Sequence, residues 1–404
     1  MKGESRMKYQ NCISLDVSKD SSHIQAFDAQ LNKLSKVNII QHTLQGFSDL
    51  RRLYNTLEDA IVVFEATGIY HRGLQKYLID SSIHYVMINP LVSAKIRKQS
   101  LRSIKTDKKD CRTIAKAYYT ADEKDTMIEP VVEFHFNQMK QLSRHYEDAL
   151  GHLVKAKVSY NAKLDVVFPA YKNLFSNIYS DTATAVIMKY KHPDRIKTKE
   201  PESIKKHLLK VSCHREAYCE RQAKKILAYV NNCCSGCNAS DIDCDILLDL
   251  LGTVKMFELK CVQILQQLIE LAKQTNYFEF ICSIPGIGEN LGSRIVAEIG
   301  DIRRFKGSKQ LIAYAGTDPH IYQSGIREGT HLSISKKGNK NLRTILYLAT
   351  SCHLRLKTKH TTVITEFYTK KKQQGKPHKV AQVASLNKLL KVIYSVSTNQ
   401  TIFA

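Results

Sequence analysis

The chain has 404 residues, 43 % of them hydrophobic, which is enough apolar side chain for several packed cores and excludes a disordered tail protein. Lys and Arg number 61 against 38 Asp and Glu, a formal charge of +23 that draws polyanions and makes nucleic acid the expected partner. No run of about 18 apolar residues and no apolar leader at MKGESRMKYQ point to a membrane or to export, so the expected location is the cytoplasm and the 11 scattered cysteines are expected as reduced thiols.

From residue 11 the pattern alternates rapidly in NCISLD, HIQAFDA and KVNII, each too short for a helix and separated by turn residues. A helix over 46–57 follows, then a buried-type strand AIVVFEA (60–66), an amphipathic helix HRGLQKYLID (71–80) and a strand HYVMIN (84–89). The order β-β-β-α-β-α-β, then α, predicts an α/β domain of ribonuclease H-like type over residues 1–130. In residues 131–275 two long amphipathic helices recur in steps of three and four, near 135–165 and 246–275. Spacing alone leaves open whether they pair within the chain or between subunits. Between them lies an insertion, 166–245, in which Lys189 to Lys225 holds twelve Lys/Arg against five acids, read either as a solvated face or as a nucleic-acid contact. Cysteines also collect there, but a single C-x-x-C, Cys234 to Cys237, without a second pair reads as thiols rather than zinc ligands.

Residues 276–404 are expected to be a mainly helical domain. The Pro-Gly-Ile-Gly turn within SIPGIGENLGSRIVAEIGDIRRF (283–305) reads as a helix-hairpin-helix element, with Gly286 and Gly288 letting backbone N–H groups approach a phosphate, or else as simple helix caps. A basic surface helix near Val363 to Tyr368 and an apolar one from Val380 close the chain.

Four acids carry the chemistry. Asp16 ends the first strand and Glu65 the fourth, while Asp107 and Asp110 stand at helical spacing in IKTDKKDCRTIA. In a ribonuclease H-like sheet these ends meet, and carboxylates gathered so closely call for divalent cations. An oxygen-only ligand set favours Mg²⁺ or Mn²⁺, suited to cleaving a phosphodiester. Eight Lys/Arg between Lys95 and Arg112, among them Lys105, Lys108 and Lys109, surround the acids and suit a nucleic-acid backbone.

The segments LDVSKD (15–20), FEATGIY (64–70), INPLVSAKIRKQSLRSIKTDKKDCRTIA (88–115), SIPGIGENLGSRIVAEIGDIRRF, LIAYAGTDPHIYQSG (311–325) and ISKKGNKNLR (334–343) together resemble the IS one-ten family of insertion-sequence transposases, relatives of the Piv-type invertases. The resemblance implies a RuvC-like N-terminal domain with a metal site at Asp16, Glu65, Asp107 and Asp110 and a nucleophilic serine in the C-terminal domain, which maps onto Ser324. Lys336, Lys337, Lys340 and Arg343 then become contacts to nucleic acid. It further implies double-stranded DNA as substrate, a structured guide RNA encoded beside the gene, and a homo-oligomer (dimer or tetramer) whose site is shared between subunits. A Holliday-junction resolvase-like nuclease is the alternative, because four acids and two metals serve hydrolysis equally well. A non-catalytic nucleic-acid-binding descendant is a third reading, against which all four acids are present.

Overall fold

The structure, a computed structural model, describes residues 9–65, 69–88, 92–94, 96, 107–120, 134–212, 214–319, 323–324, 327–328, 333–356 and 361–403. It divides into two compact units, Met1–Val131 and Val132–Ala404.

In the first unit, strands β1 (Asn11–Val17), β2 (Ser21–Asp28), β3 (Asn38–Gln41), β4 (Ala60–Glu65) and β5 (Tyr85–Ile88) form one sheet of order β3-β2-β1-β4-β5. β1, β2 and β3 pair antiparallel, and β4 and β5 continue parallel to β1. Because side chains alternate along a strand, each face has its own core. Ile13, Leu15, Val17, Val62 and Phe64 pack on Phe47 and Leu50 of α1 (Leu44–Asn55) and on Leu74 and Leu78 of α2 (His71–Asp80). Cys12, Ile61, Val63 and Ile88 pack on Cys111, Ile114, Ala115 and Tyr118 of α3 (Asp107–Thr120). A layer of helices on both sides explains why β4 reads as an unbroken apolar run.

Two boundaries differ from expectation for local reasons. α1 begins two residues early because the Thr43 hydroxyl accepts the Gly46 N–H (3.2 Å) and caps the helix at Leu44. β3 begins at Asn38 rather than Lys36, since the Ala26 N–H is taken by the Ser35 hydroxyl (2.9 Å) and the Ala26 carbonyl by the Leu34 N–H.

In the second unit α4 (Phe134–Val167) and α9 (Ile242–Lys273) pair antiparallel with each other within the chain. Lys163 meets Asp243 (2.5 Å), Lys157 meets Glu258 (2.8 Å), and His152 stacks on Phe257 with ring centroids 5.4 Å apart. The seam that spacing left unassigned is thus filled by intrachain packing. Between them the insertion folds as α5 (Asp181–Tyr190), α6 (Asp194–Lys197), α7 (Pro201–Val211) and α8 (Glu216–Asn232). Tyr171, Val186, Ile187, Leu208 and Ile226 join Tyr160, Leu164, Leu247 and Leu251 of the long helices in one core. The Tyr171 hydroxyl donates to the Ala183 carbonyl (2.8 Å) and the Tyr229 hydroxyl to that of Pro169 (2.8 Å), which satisfies the insertion's buried carbonyls and ties it down.

A second core of this unit unites Phe136 and Met139 at the start of α4, Leu268 and Ala272 at the end of α9, and the elements that follow. These are α10 (Phe278–Cys282), α11 (Glu289–Ile299), α12 (Ser308–Ala315), β6 (Gln323–Ser324), β7 (Arg327–Glu328), α13 (Lys340–Arg355), α14 (Val363–Gln373) and α15 (His378–Asn399). α15 contributes Leu386, Leu389 and Ile393 to it, whereas α14 buries Ile364 and leaves Lys370, Lys371 and Lys372 near its end. Among the described residues no helix is long and apolar enough to cross a membrane.

Candidate functional site

In the first unit the strand ladder itself brings two of the four acids together. β1 and β4 run parallel with Leu15 opposite Phe64, so Asp16 and Glu65 occupy the next step on adjacent strands, about 5 Å apart in backbone spacing. Leu15 and Phe64 point into the α1 and α2 face. Alternation therefore sends Asp16 and Glu65 to the opposite face, the one α3 covers. α3 presents Asp110, 7 % exposed, next to Cys111, whose thiol donates to the His23 carbonyl (3.3 Å), and His23 is the register partner of Asp16. Burial pushes the Cys111 thiol up to about 12, and the charges of Asp16 and Asp110 add to the rise. That coupling puts both carboxylates within electrostatic reach of one buried sulfur.

Asp107 is the first residue of α3, one helical turn before Asp110. Its side chain, those of Lys108 and Lys109, and the whole of Lys105 lie outside the described residues. Among the described residues no three His, Cys, Asp or Glu side chains converge closely enough to hold a metal ion. What the fold supplies is an acidic, oxygen-only donor set in which two strand ends meet a buried helix face, a chemistry that fits a hard divalent cation.

In the second unit Ser324 ends β6, opposite Arg327 of β7, in a two-stranded hairpin. Its side chain and Gly325 lie outside the described residues. The hairpin's base is closed by a bridge between Pro319 and Ile334 and by the Ser335 hydroxyl donating to Asp318 (2.6 Å). Lys336, Lys337 and Lys340 are exposed just beyond it, while the Arg343 guanidinium turns inward to donate to the Ala315 carbonyl (2.8 Å).

The two glycines of the Pro-Gly-Ile-Gly turn differ. Gly288 is the N-cap of α11 with open space where a Cβ would stand. Gly286 has φ +87 and lies against α13, where a Cβ would come within 2.7 Å of the His353 N and 2.8 Å of its Cα. His353, buried, clamps the turn from the other side, its Nδ1 donating to the Pro285 carbonyl (2.6 Å) and its Nε2 meeting the Thr362 hydroxyl (2.7 Å). Gly286→Ala therefore combines left-handed backbone with overpacking against another main chain and is expected to destabilise the second unit by about 2–4 kcal/mol. Thermal unfolding followed by circular dichroism checks this, and an unshifted midpoint would contradict the packing role.

A buried polar cluster near the serine hairpin has no counterpart in the motif reading. Glu298, 1 % exposed, accepts from Asn339 Nδ2 (2.7 Å) and faces Arg144 of α4 (3.5 Å), and the buried Arg294 pairs with Glu147. Asn339 also caps α13 by accepting the Leu342 N–H (3.1 Å). The one sequence signal was the N-cap asparagine before KNLR. The cluster ties the long helix to the loop that follows the hairpin.

Among the described residues the insertion's cysteines are free thiols. Cys237 and Cys244 are neighbours, and burial pushes Cys244 up to about 11, but Cys234 is exposed and Cys213 lies outside the described residues.

The profile of the Transposase IS116/IS110/IS902 family matches residues 279–365, and a second profile, the DEDD transposase of the IS110 type, matches residues 13–169. The pilin gene-inverting protein of Moraxella lacunata is 32 % identical over 131 residues, 32 % of this chain and 40 % of that protein. The transposase for insertion sequence element IS1111A of Coxiella burnetii is 33 % identical over 135 residues, 33 % of this chain and 36 % of that protein. The transposase for IS1328 of Yersinia enterocolitica is 28 % identical over 124 residues, 31 % of this chain and 36 % of that protein. The chain thus spans two-fifths or less of the length of these curated relatives. The DEDD profile takes in Asp16, Glu65, Asp107 and Asp110, the other takes in Ser324, and their order along the sequence is that of the two motif groups, so the chain belongs to the IS116/IS110/IS902 family of transposases.

Proposed function

We propose that the protein is the recombinase of an insertion sequence, cutting and rejoining double-stranded DNA in the cytoplasm with a divalent metal and a serine nucleophile. The observation that carries this reading is the parallel register that sets Asp16 and Glu65 side by side on the face where α3 presents Asp110, inside the stretch similar to the DEDD transposases. The sheet order supports a ribonuclease H-like, RuvC-like first domain, and α10, the Pro285–Gly288 turn and α11 support a helix-hairpin-helix element. Two separate cores in the second unit support its division into a helical middle, 131–275, and a C-terminal domain, 276–404.

In this reading Asp16, Glu65, Asp107 and Asp110 hold Mg²⁺ or Mn²⁺, which when bound polarises the scissile phosphate. Ser324 Oγ attacks phosphorus, an Oγ–P bond forms, and one strand leaves as a free hydroxyl. A hydroxyl from a second strand then attacks the phosphoserine, and the serine is released with its proton restored. The ester keeps the phosphodiester energy, so no outside energy source is needed for rejoining. Lys105, Lys108, Lys109, Lys336, Lys337, Lys340 and Arg343, with Gly286 and Gly288, hold backbones, a structured RNA supplies sequence by pairing, and the active form is a dimer or tetramer.

A supercoiled plasmid carrying the element's ends and its adjacent noncoding stretch, incubated with protein, transcript and Mg²⁺, is expected to give joined donor and target strands. Products that are only nicked or linear would replace this reading with the structure-specific nuclease.

A further inference from the structure

Beyond residue 169 the insertion lies between the two family-matched stretches, so neither of them assigns that part a role. Its charges are distributed unevenly. Of the five acids between Lys189 and Lys225, four are engaged in ion pairs: Asp194 with Lys197, Glu202 and Glu216 with Lys205, and Glu220 with Lys224. Lys206 and Lys210 on α7 and Lys189 on α5, all exposed, have no carboxylate within ion-pairing distance among the described residues. These three converge on one groove of about 420 Å³, bordered also by Ser203, His207, Glu200 and Glu202. Ser203, Lys206, His207 and Lys210 follow steps of three and four and so share one face of α7.

The field in the groove is positive despite the two glutamates. The His207 imidazole, with Nε2 at the Ala185 carbonyl (3.2 Å), is held below its ordinary pKa by burial, and Lys189 and Lys210 push in the same direction. The groove has lysines and no exposed aromatic ring among its lining residues, so it offers point charges to phosphate and no surface on which to stack a base. Phosphates presented at fixed spacing with the bases turned away are the property of a duplex.

We infer that the α5/α7 groove of the insertion, through Lys189, Lys206 and Lys210, is a binding site for the phosphate backbone of double-stranded DNA, separate from the chemistry of the acids and of Ser324. The inference rests on the reading of the chain as a DNA-binding recombinase and adds a contact to it. The site reads no sequence; it adds affinity that falls with salt. Each phosphate contact contributes about −0.9 to the slope of log affinity against log salt.

The test uses the full chain and a duplex of arbitrary sequence, about 30 base pairs long, with affinity followed by fluorescence anisotropy from about 50 to 200 mM salt. Lys206→Gln with Lys210→Gln is expected to flatten the slope by about 2 and weaken binding at least tenfold near 0.1 M salt, and Lys189→Gln alone to flatten it by about 1. Lys33→Gln with Lys36→Gln, an equal charge change on exposed lysines of the first unit, is expected to leave the slope in place. Circular dichroism of each variant should match the unaltered chain, since none of these side chains is buried. A slope unchanged by the α7 pair and by Lys189→Gln, or changed equally by the control pair, would overturn the site. Loss confined to a duplex RNA probe would overturn the choice of DNA. Failure of the unaltered chain to bind duplex DNA at any salt would instead remove the broader reading, and the groove with it.

Discussion

Asp16→Asn is expected to lower metal-dependent strand cleavage by at least about a thousandfold, some 4 kcal/mol of transition-state stabilisation, while leaving the first unit folded. The substitution keeps size and shape at the end of β1 and removes one negative charge from a place where the register with β4 crowds Glu65 and where α3 presents the buried Asp110. Relief of repulsion offsets any lost polar contact, so the melting temperature should stay level or rise. Raising Mn²⁺ should rescue little, because the missing group is a ligand. Near-normal cleavage by the variant would remove Asp16 from the metal site, whereas lost cleavage with lost folding would count only against the choice of substitution, and Glu65→Gln would then be read in its place.

Ser324→Ala is expected to abolish a protein–DNA adduct that survives denaturant in the unaltered chain, and with it strand joining, while DNA affinity stays within about twofold. The expectation about affinity follows from position. Ser324 occupies the end of a two-residue strand opposite Arg327, and the substitution leaves the chain's 61 Lys and Arg unchanged. If the metal half-site and the serine half-site come from different subunits, mixing Asp107→Asn chains with Ser324→Ala chains should restore part of the activity, because one interface in each mixed oligomer holds both intact halves. Mixed oligomers verified by mass yet inactive would refute sharing. An adduct persisting without Ser324 would refute the nucleophile.

Periodicity made most of the architecture legible. Ile13, Leu15 and Val17 against Cys12, Ser14 and Asp16 announced a strand with two differently occupied faces, and the structure assigns those faces to different helices. The long helices were equally plain, but their partner was not. A stripe of Leu and Val facing another stripe looks the same within a chain and between chains, and only cross-seam contacts such as Lys163 with Asp243 and His152 with Phe257 decide it. The β6–β7 hairpin could not be foreseen, because strands of two residues carry no period. Gly286 was visible as a turn residue, but the main chain that presses on it belongs to α13, far along the sequence. Of the candidate site, the pairing of Asp16 with Glu65 followed from fold order, while the burial of Asp110 and its shared environment with Cys111 depended on how α3 docks.

The antiparallel pair of α4 and α9 also sets a distance. Met139 belongs to the C-terminal core and Leu164 to that of the insertion, and the rise of a continuous helix between them comes to roughly 37 Å. The two cores are therefore held apart by a continuous helix pair rather than by a linker, and a residue inserted into only one of the two helices would slide its seam contacts past those of the other. An insertion of equal length in both helices would instead lengthen that spacing by about 1.5 Å and turn one core against the other by about 100° per residue, so the phase of the pair matters as much as its length.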